Sequence, residues 1–325
     1  MTILVTGGYG YLGSVCVQKL LEKKYPVVIL DNLRTGHQET INPKVPFYKG
    51  SILNKKLLNR IFSENKIDCV IHFAAITTIE ESSTNPSIYF NTNVTGGICL
   101  LDVMRKYVCK KIIFSSTAAV FGLPKYIPID ENHPTNPINS YGSSKLMFEQ
   151  ILFWYQQAYG LKYRIFRYFN AAGATEISGD NHHPENHLIP NVLNVVLGVK
   201  KEISIYGNDY DTPDGTCIRD YIHVLDLIDA HILSLENWEV NPAAAYNLGN
   251  EKGYSVLEVV ETARRITGHS IPLKISSRRP GDPPVLIASN FKTKKELTWE
   301  PKFLSLEDMI ASQWKWQKKN YETHK

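Results

Sequence analysis

Three glycines spaced by two residues, Gly7, Gly10 and Gly13, stand between an apolar β-branched run (TILVT, residues 2–6) and a segment of helical periodicity. No other feature constrains the chain as much as this junction. Behind it Leu12, Val15, Cys16, Leu20 and Leu21 share one helix face, with Lys19, Glu22, Lys23 and Lys24 opposite. Glycines at such a turn permit positive φ and let a pyrophosphate approach the backbone. The helix then offers free N–H groups and the positive end of its dipole. Asp31 ends the next strand, 18 residues after Gly13. A carboxylate there binds both hydroxyls of an adenosine ribose and repels a 2′-phosphate, which favours NAD over NADP. Arg34 is the nearby residue able to accept that phosphate.

The alternation continues. Strands are expected at Val27–Leu30, Pro46–Tyr48, Cys69–Phe73, Ile112–Ser115 and Tyr163–Phe166, and helices around Lys56–Glu64, Ile88–Tyr107 and Ser143–Tyr159. Apolar strands separated by amphipathic helices predict an α/β fold with a doubly wound parallel sheet, the Rossmann arrangement. From about Ala171 the rhythm weakens, and loops rich in Gly, Asn, Asp and Pro (Gly173–His187, Gly207–Gly215, Pro280–Pro284) alternate with shorter helices. Residues 1–170 are therefore expected to bind the cofactor, and residues 171–325 to form a smaller α/β domain for the substrate.

Composition narrows the partners. Lys and Arg total 36 against 32 Asp and Glu, a net +4 without basic blocks, which argues against nucleic acid. Apolar stretches such as Cys69–Ile76 are too short for a membrane span, and no signal peptide is expected at Met1. The five cysteines (Cys16, Cys69, Cys99, Cys109, Cys217) contain no CxxC pair and sit among apolar residues. They read as reduced core thiols of a cytoplasmic protein.

Tyr141 and Lys145 in SYGSSK lie four apart and share one helix face. A phenol has a pKa of roughly 10, and a neighbouring ammonium favours the phenolate. Ser115, Ser116 and Thr117 end a strand at the sheet edge where ligands bind, so a hydroxyl there can hold a substrate oxygen while Tyr141 moves the proton.

The motifs TGGYGYLG, Asp31-Asn32-Leu33, His72-Phe73-Ala74-Ala75, Asn93, SSTAAVFG, Y-x-x-x-K, RYFNAAGA, GTCIRDYIHV and RRPGDP occur in one order over nearly the whole chain. Together they resemble the extended short-chain dehydrogenase/reductase superfamily and, within it, the UDP-glucose (UDP-galactose) 4-epimerase family. The resemblance implies an isomerase with retained NAD. Tyr141 would take the proton from the sugar 4-hydroxyl, Lys145 would lower its pKa, and Thr117 would bind the same hydroxyl. Hydride would leave carbon 4, the 4-keto sugar would turn over, and hydride would return to its other face. Anchoring through the nucleotide allows the sugar to turn.

By position, the resemblance assigns Gly7, Gly10, Tyr11, Leu12, Gly13, Asp31, Asn32, Ser51, Ile52, Phe73, Ala74, Ala75, Asn93, Ser115, Tyr141, Lys145 and Tyr168 to the cofactor. It assigns Thr117, Asn170, His187, Leu188, Tyr206, Arg219, Tyr221, Arg279, Asp282 and Leu286 to a UDP-hexose, with Arg219 and Arg279 on the diphosphate. Four positions depart from the family or leave its range open. Ser51 replaces an acid near adenine, Thr77 a frequent basic residue near the nicotinamide, and His187 a common Asn. Leu286 is intermediate between the bulky and small residues that set the sugar pocket, so N-acetylated hexoses, uronates and pentoses stay open.

A 4,6-dehydratase would carry an acid pair where Ala118 and Ala119 stand. A dehydrogenase would consume free NAD, and a silent nucleotide-binding regulator would not need the intact Thr117, Tyr141 and Lys145. A metal at His182, His183 and His187 is not expected, because no Cys or paired acid is seen to complete the set. The resemblance also implies a homodimer through the helices Ile88–Tyr107 and Ser143–Tyr159.

Overall fold

The computed structural model describes every residue except Pro43, His183, Pro184, Pro280, His324 and Lys325. Seven parallel strands form the main sheet in the order Ala243–Leu248, Lys162–Tyr168, Lys111–Thr117, Ile67–His72, Thr2–Thr6, Val27–Asp31 and Phe47–Lys49. Each expected strand is present: those at Val27, Ile112 and Tyr163 are longer by one to three residues, the one expected at Pro46–Tyr48 is shifted by one, and the one expected at Cys69–Phe73 starts two residues earlier and ends at His72. Core residues on both faces explain why the strands read as apolar throughout. One layer gathers Ile3, Val5, Val15 and Leu20, the other Leu4, Val28, Leu100 and Phe148. Chain order reverses between Thr2–Thr6 and Ile67–His72, so the crevice for a ligand opens at the carboxyl ends of these central strands.

The boundary expected at residue 170 is not where the sheet ends. Its last strand, Ala243–Leu248, pairs in parallel with Lys162–Tyr168 after the chain has built part of the second lobe. The helix before it, Val224–Glu236, packs with the layer around the first helix through Leu227, Ile228 and Leu235. Short, mixed strand patterns after residue 171 hid this return.

The second lobe centres on the strand Ile218–His223. Gly253–Ser255 lies antiparallel to it, while Val285–Leu286 and Asn170–Ala172 run parallel to it. Its register sets Arg219 beside Leu286 and Tyr221 beside Asn170. Asp220 fastens this strand to two turns: its buried carboxylate accepts hydrogen bonds from the Asn250, Glu251 and Ala288 backbone N–H groups at 2.5, 3.1 and 3.0 Å. Burial raises its pKa to about 7 against the pull of those three donors.

The helix expected over Ile88–Tyr107 is three pieces: Pro86–Tyr89, a π-helical segment Phe90–Thr95, and Gly96–Lys106. In the wide turn Asn93 spends its side chain on the chain itself. Its Oδ1 accepts from Ile76 N (2.9 Å), and its Nδ2 donates to Ile76 O and Ser144 Oγ (both 3.0 Å). Such local widening recurs at functional sites.

Candidate active site

Gly7 adopts φ +72 at the end of the first strand. A Cβ on Gly13 would stand 2.0 Å from the Gly7 carbonyl oxygen, so the first helix turn can pack on the strand end only without a side chain. The helix Tyr11–Glu22 starts at Gly10 with no side-chain cap, leaving its first N–H groups for a ligand. Asp31 is buried at the neighbouring strand end. Its Oδ2 accepts from Tyr9 N (2.9 Å) and its Oδ1 from Leu33 N (2.7 Å). Each oxygen keeps a lone pair, so the carboxylate is fixed and still able to accept. Arg34 is drawn aside by Glu81 at 3.5 Å, which weakens it as a phosphate partner.

Two expected cofactor residues use their hydroxyls elsewhere. Tyr11 donates to Gly173 O at 2.5 Å, joining the lobes, and Tyr168 donates to His231 Nε2 at 2.6 Å. The His231 Nδ1–H in turn reaches Leu227 O (2.8 Å). Phe73 and Ala74 both donate their backbone N–H to Thr6 O at 3.0 Å, which closes the crevice floor under the glycine turn. Ile52 is buried against Gly96, and Ser51 Oγ accepts from Leu53 N (3.2 Å).

The trio expected to be catalytic, Thr117, Tyr141 and Lys145, lies along the same sheet edge. The helix Ser140–Tyr159 begins three residues earlier than expected, capped by Asn139, whose side chain accepts from Gly142 N (2.8 Å). Gly142 fits because a Cβ there would lie 2.5 Å from Ala119 O, so the helix start is pressed on the segment after Thr117. Thr117 is both a cap and a site residue. Its Oγ1 accepts from Ala119 N (3.1 Å), and its hydroxyl hydrogen-bonds Tyr141. Lys145 Nζ donates to Ser115 O (2.8 Å) and lies 5.9 Å from the centre of the Tyr141 ring.

In the protein alone, burial governs both groups. The Tyr141 pKa is raised to about 12, with the Thr117 hydrogen bond working the other way. Lys145 is brought down to about 7 by burial, with Glu149 opposing. His72 is kept neutral, near 3, by burial and by the Lys145 charge. The expected lowering of Tyr141 by Lys145 is therefore not a property of the chain by itself.

Sequence reasoning missed Glu149. It pairs with Arg167 Nη2 (2.7 Å) and accepts from Ser116 Oγ, directly behind Lys145. Its spacing, four residues after Lys145 on an apolar face, was the available signal.

On the far side of the crevice the buried Arg219 pairs with the half-buried Asp282. Arg279 lies 4.1 Å over the Tyr206 ring and pairs with Glu80 (2.9 Å), a partner from the first lobe that no pattern announced. Leu286 packs in one cluster with Ala118, Val120 and Phe121, so the second lobe reaches the segment that follows Thr117. Tyr221 is buried in the second-lobe core, with Leu188 packed against it, and Asn170 is half-buried. His187 caps the helix Leu188–Val196 with its side chain 51% exposed. The metal set thought to lack acids does contain them: Asp180, His182, Glu185 and His187 converge, while His183 lies outside the described residues.

A parallel sheet with a glycine turn, a fixed carboxylate at the next strand end and a Tyr–Lys pair at one edge is the layout of a nucleotide-cofactor enzyme that moves a hydride and a proton together. Residues 3–249 match the NAD dependent epimerase/dehydratase family, and the chain belongs to that family. It is 50% identical over 323 residues to the UDP-glucose 4-epimerase of Halalkalibacterium halodurans, covering 98% of this chain and 96% of that protein. The solved UDP-glucose 4-epimerase from Bifidobacterium longum in complex with NAD+ and UDP superposes with a TM-score of 0.94 at 41% identity, covering 99% of each chain. The UDP-Glc/GlcNAc 4-epimerase of Campylobacter jejuni gives 0.86 at 34% identity, over 98% of this chain and 99% of that one.

Proposed function

We propose that this chain is an NAD-dependent isomerase that interconverts UDP-galactose and UDP-glucose by inverting carbon 4. The observation that carries this reading is the contact of Thr117 with Tyr141 at the sheet edge beside Lys145, with the Arg219 and Arg279 lobe facing it. The glycine turn, which a Cβ at Gly13 would fill, and the fixed Asp31 carboxylate fit a dinucleotide. Bound NAD supplies a hydride acceptor that also returns the hydride. The chain supplies the rest. Tyr141 Oη holds and moves the proton of the sugar 4-hydroxyl, and Thr117 orients that hydroxyl. Lys145 places a cation beside Tyr141, and the positive charge around the bound cofactor favours the phenolate that burial alone opposes. Arg219 and Arg279 exchange Asp282 and Glu80 for diphosphate oxygens, holding the nucleotide while the 4-keto sugar turns.

The test uses purified protein without added cofactor. Incubation with UDP-galactose is expected to yield UDP-glucose with no net change in free NADH. No conversion, even with NAD supplied, overturns the reading. UDP-N-acetylgalactosamine in parallel reports whether Leu286 leaves room for an N-acetyl group. Ala118 and Ala119 carry no proton-transferring group, which supports epimerisation over dehydration.

The same reading extends to assembly and place. The helix Ser140–Tyr159 exposes Trp154 (67%), Met147 and Phe153, an apolar face suited to a second copy. Tyr155 on this helix donates to Asp102 at 2.9 Å on the helix Gly96–Lys106, which makes the two helices one surface. A homodimer is expected, with Trp154→Glu shifting sedimentation to the monomer. A wild-type chain that sediments as a monomer overturns it. The five cysteines are unpaired and buried, which suits the cytoplasm, and no described helix is long and apolar enough to cross a membrane. We assign cofactor binding to residues 1–170 together with the returning segment 224–248, and UDP-hexose binding to the remainder.

A further inference from the structure

We propose that the loop from Asp180 to His187 binds one divalent transition-metal ion, of the zinc class, through Asp180, His182, Glu185 and His187. Four side chains within eight residues turn one donor atom each toward a common point, all within 4.8 Å of one another. The His182 Nδ1 lies 2.6 Å from Asp180 Oδ1, and the His187 Nδ1 lies 2.9 Å from Asp180 Oδ2 and 3.3 Å from Glu185 Oε1. The two imidazole rings stand 4.9 Å apart at 78°, so they address the point from different directions. A tetrahedral ion with bonds of about 2.0–2.2 Å needs donors roughly 3.3–3.6 Å apart, a spacing these side chains reach by small rotations. Two imidazoles and two carboxylates suit zinc or cobalt better than calcium or magnesium, which prefer oxygen throughout.

The surroundings are those of a held ligand set. Asp180 is buried, and its peptide is clamped on both sides by the buried Gln313, which accepts from Asp180 N (3.2 Å) and donates to Asp180 O (2.8 Å). The carboxylate of Glu185 is oriented by the backbone N–H groups of His182 (3.0 Å) and His187 (2.8 Å). Among the described residues, the ion-pair partners of both carboxylates are histidines, with no Lys or Arg. A dication therefore replaces imidazole protons, which leave to solvent, and neutralises both acids.

The position gives the ion a task. Just before the loop, Ser178 meets Ser14 of the first helix at 2.5 Å, and Tyr11 holds Gly173 O. Just after it, His187 starts the helix Leu188–Val196. The ion would clamp the segment that spans from the phosphate turn to the second-lobe helix, and would fix His187 at the rim of the crevice.

The experiment reads metal rather than turnover, so it stands apart from the epimerase assignment. Untagged full-length protein is stripped with a chelator, freed of it, and titrated with zinc chloride by calorimetry, then with cobalt chloride by absorption. One ion per chain is expected, with the intense visible bands of tetrahedral cobalt. At zinc one hundred times its dissociation constant, the folding equilibrium should shift about 100-fold, read as a higher melting temperature. Asp180→Asn and His182→Gln should each weaken binding at least about tenfold. Absence of stoichiometric uptake by the wild-type chain overturns the proposal and leaves an ion-pair cluster only. Uptake that survives unchanged in either folded variant also overturns it. The wild-type titration decides the matter if a variant does not fold.

Discussion

Tyr141→Phe is expected to fold, to keep its cofactor, and to lose about 10²–10⁴-fold in kcat, the usual contribution of a positioned proton carrier. The ring is buried and the substitution removes one oxygen, so packing is preserved. Thr117 loses its contact with the phenol yet still caps the turn through Ala119 N, which limits the stability loss to about 1 kcal/mol. With the diphosphate anchors proposed at Arg219 and Arg279 on the other lobe, KM should change far less than kcat. Steady-state kinetics and the nicotinamide content of the purified variant check both halves. A variant that keeps full turnover removes Tyr141 from the reaction.

Gly13→Ala carries the second large effect, on cofactor and fold together. The added methyl would sit 2.0 Å from Gly7 O and 2.8 Å from both Gly7 C and Gly8 Cα. These are backbone atoms, so relief requires moving the strand end or the helix start. A loss of about 3 kcal/mol is expected, together with loss of bound NAD, measured by chemical unfolding and by cofactor content. Gly10→Ala is the internal comparison. Its Cβ would meet only Gly7 O at 3.4 Å, so it should stay folded. Equal stability of the two variants would show that helix packing on the strand end does not set the turn.

What the sequence revealed follows from the range of the interactions concerned. The glycine turn, Asp31 and the Tyr141–Lys145 pair are local patterns, and the parallel strands announce themselves because both faces are buried. The early start of the helix Ser140–Tyr159 was legible in principle, since Asn139 is a good cap ahead of Gly142. The Glu80–Arg279 and Tyr168–His231 contacts were not, because they join segments 199 and 63 residues apart with no periodic signal. The π-helical turn was hidden because Asn93 acts through Ile76, far from its own helix. The acids near His182 were in plain view, but only the structure shows that Asp180 and Glu185 turn inward rather than toward water.

The strand that returns at Ala243–Leu248 also dictates an order of events during synthesis. Until residue 248 has been made, the edge of Lys162–Tyr168 has no neighbour on that side, and its backbone N–H and C=O groups are open to pairing with another chain. The interval is 80 residues, the distance from Tyr168 to Leu248. At roughly 5–20 residues per second it lasts on the order of 4–16 s. A nascent chain of this protein is thus most prone to aggregate in that window, when its cofactor sheet is six-sevenths complete. Substitutions that slow the second lobe's first half would lower yield without touching the finished enzyme.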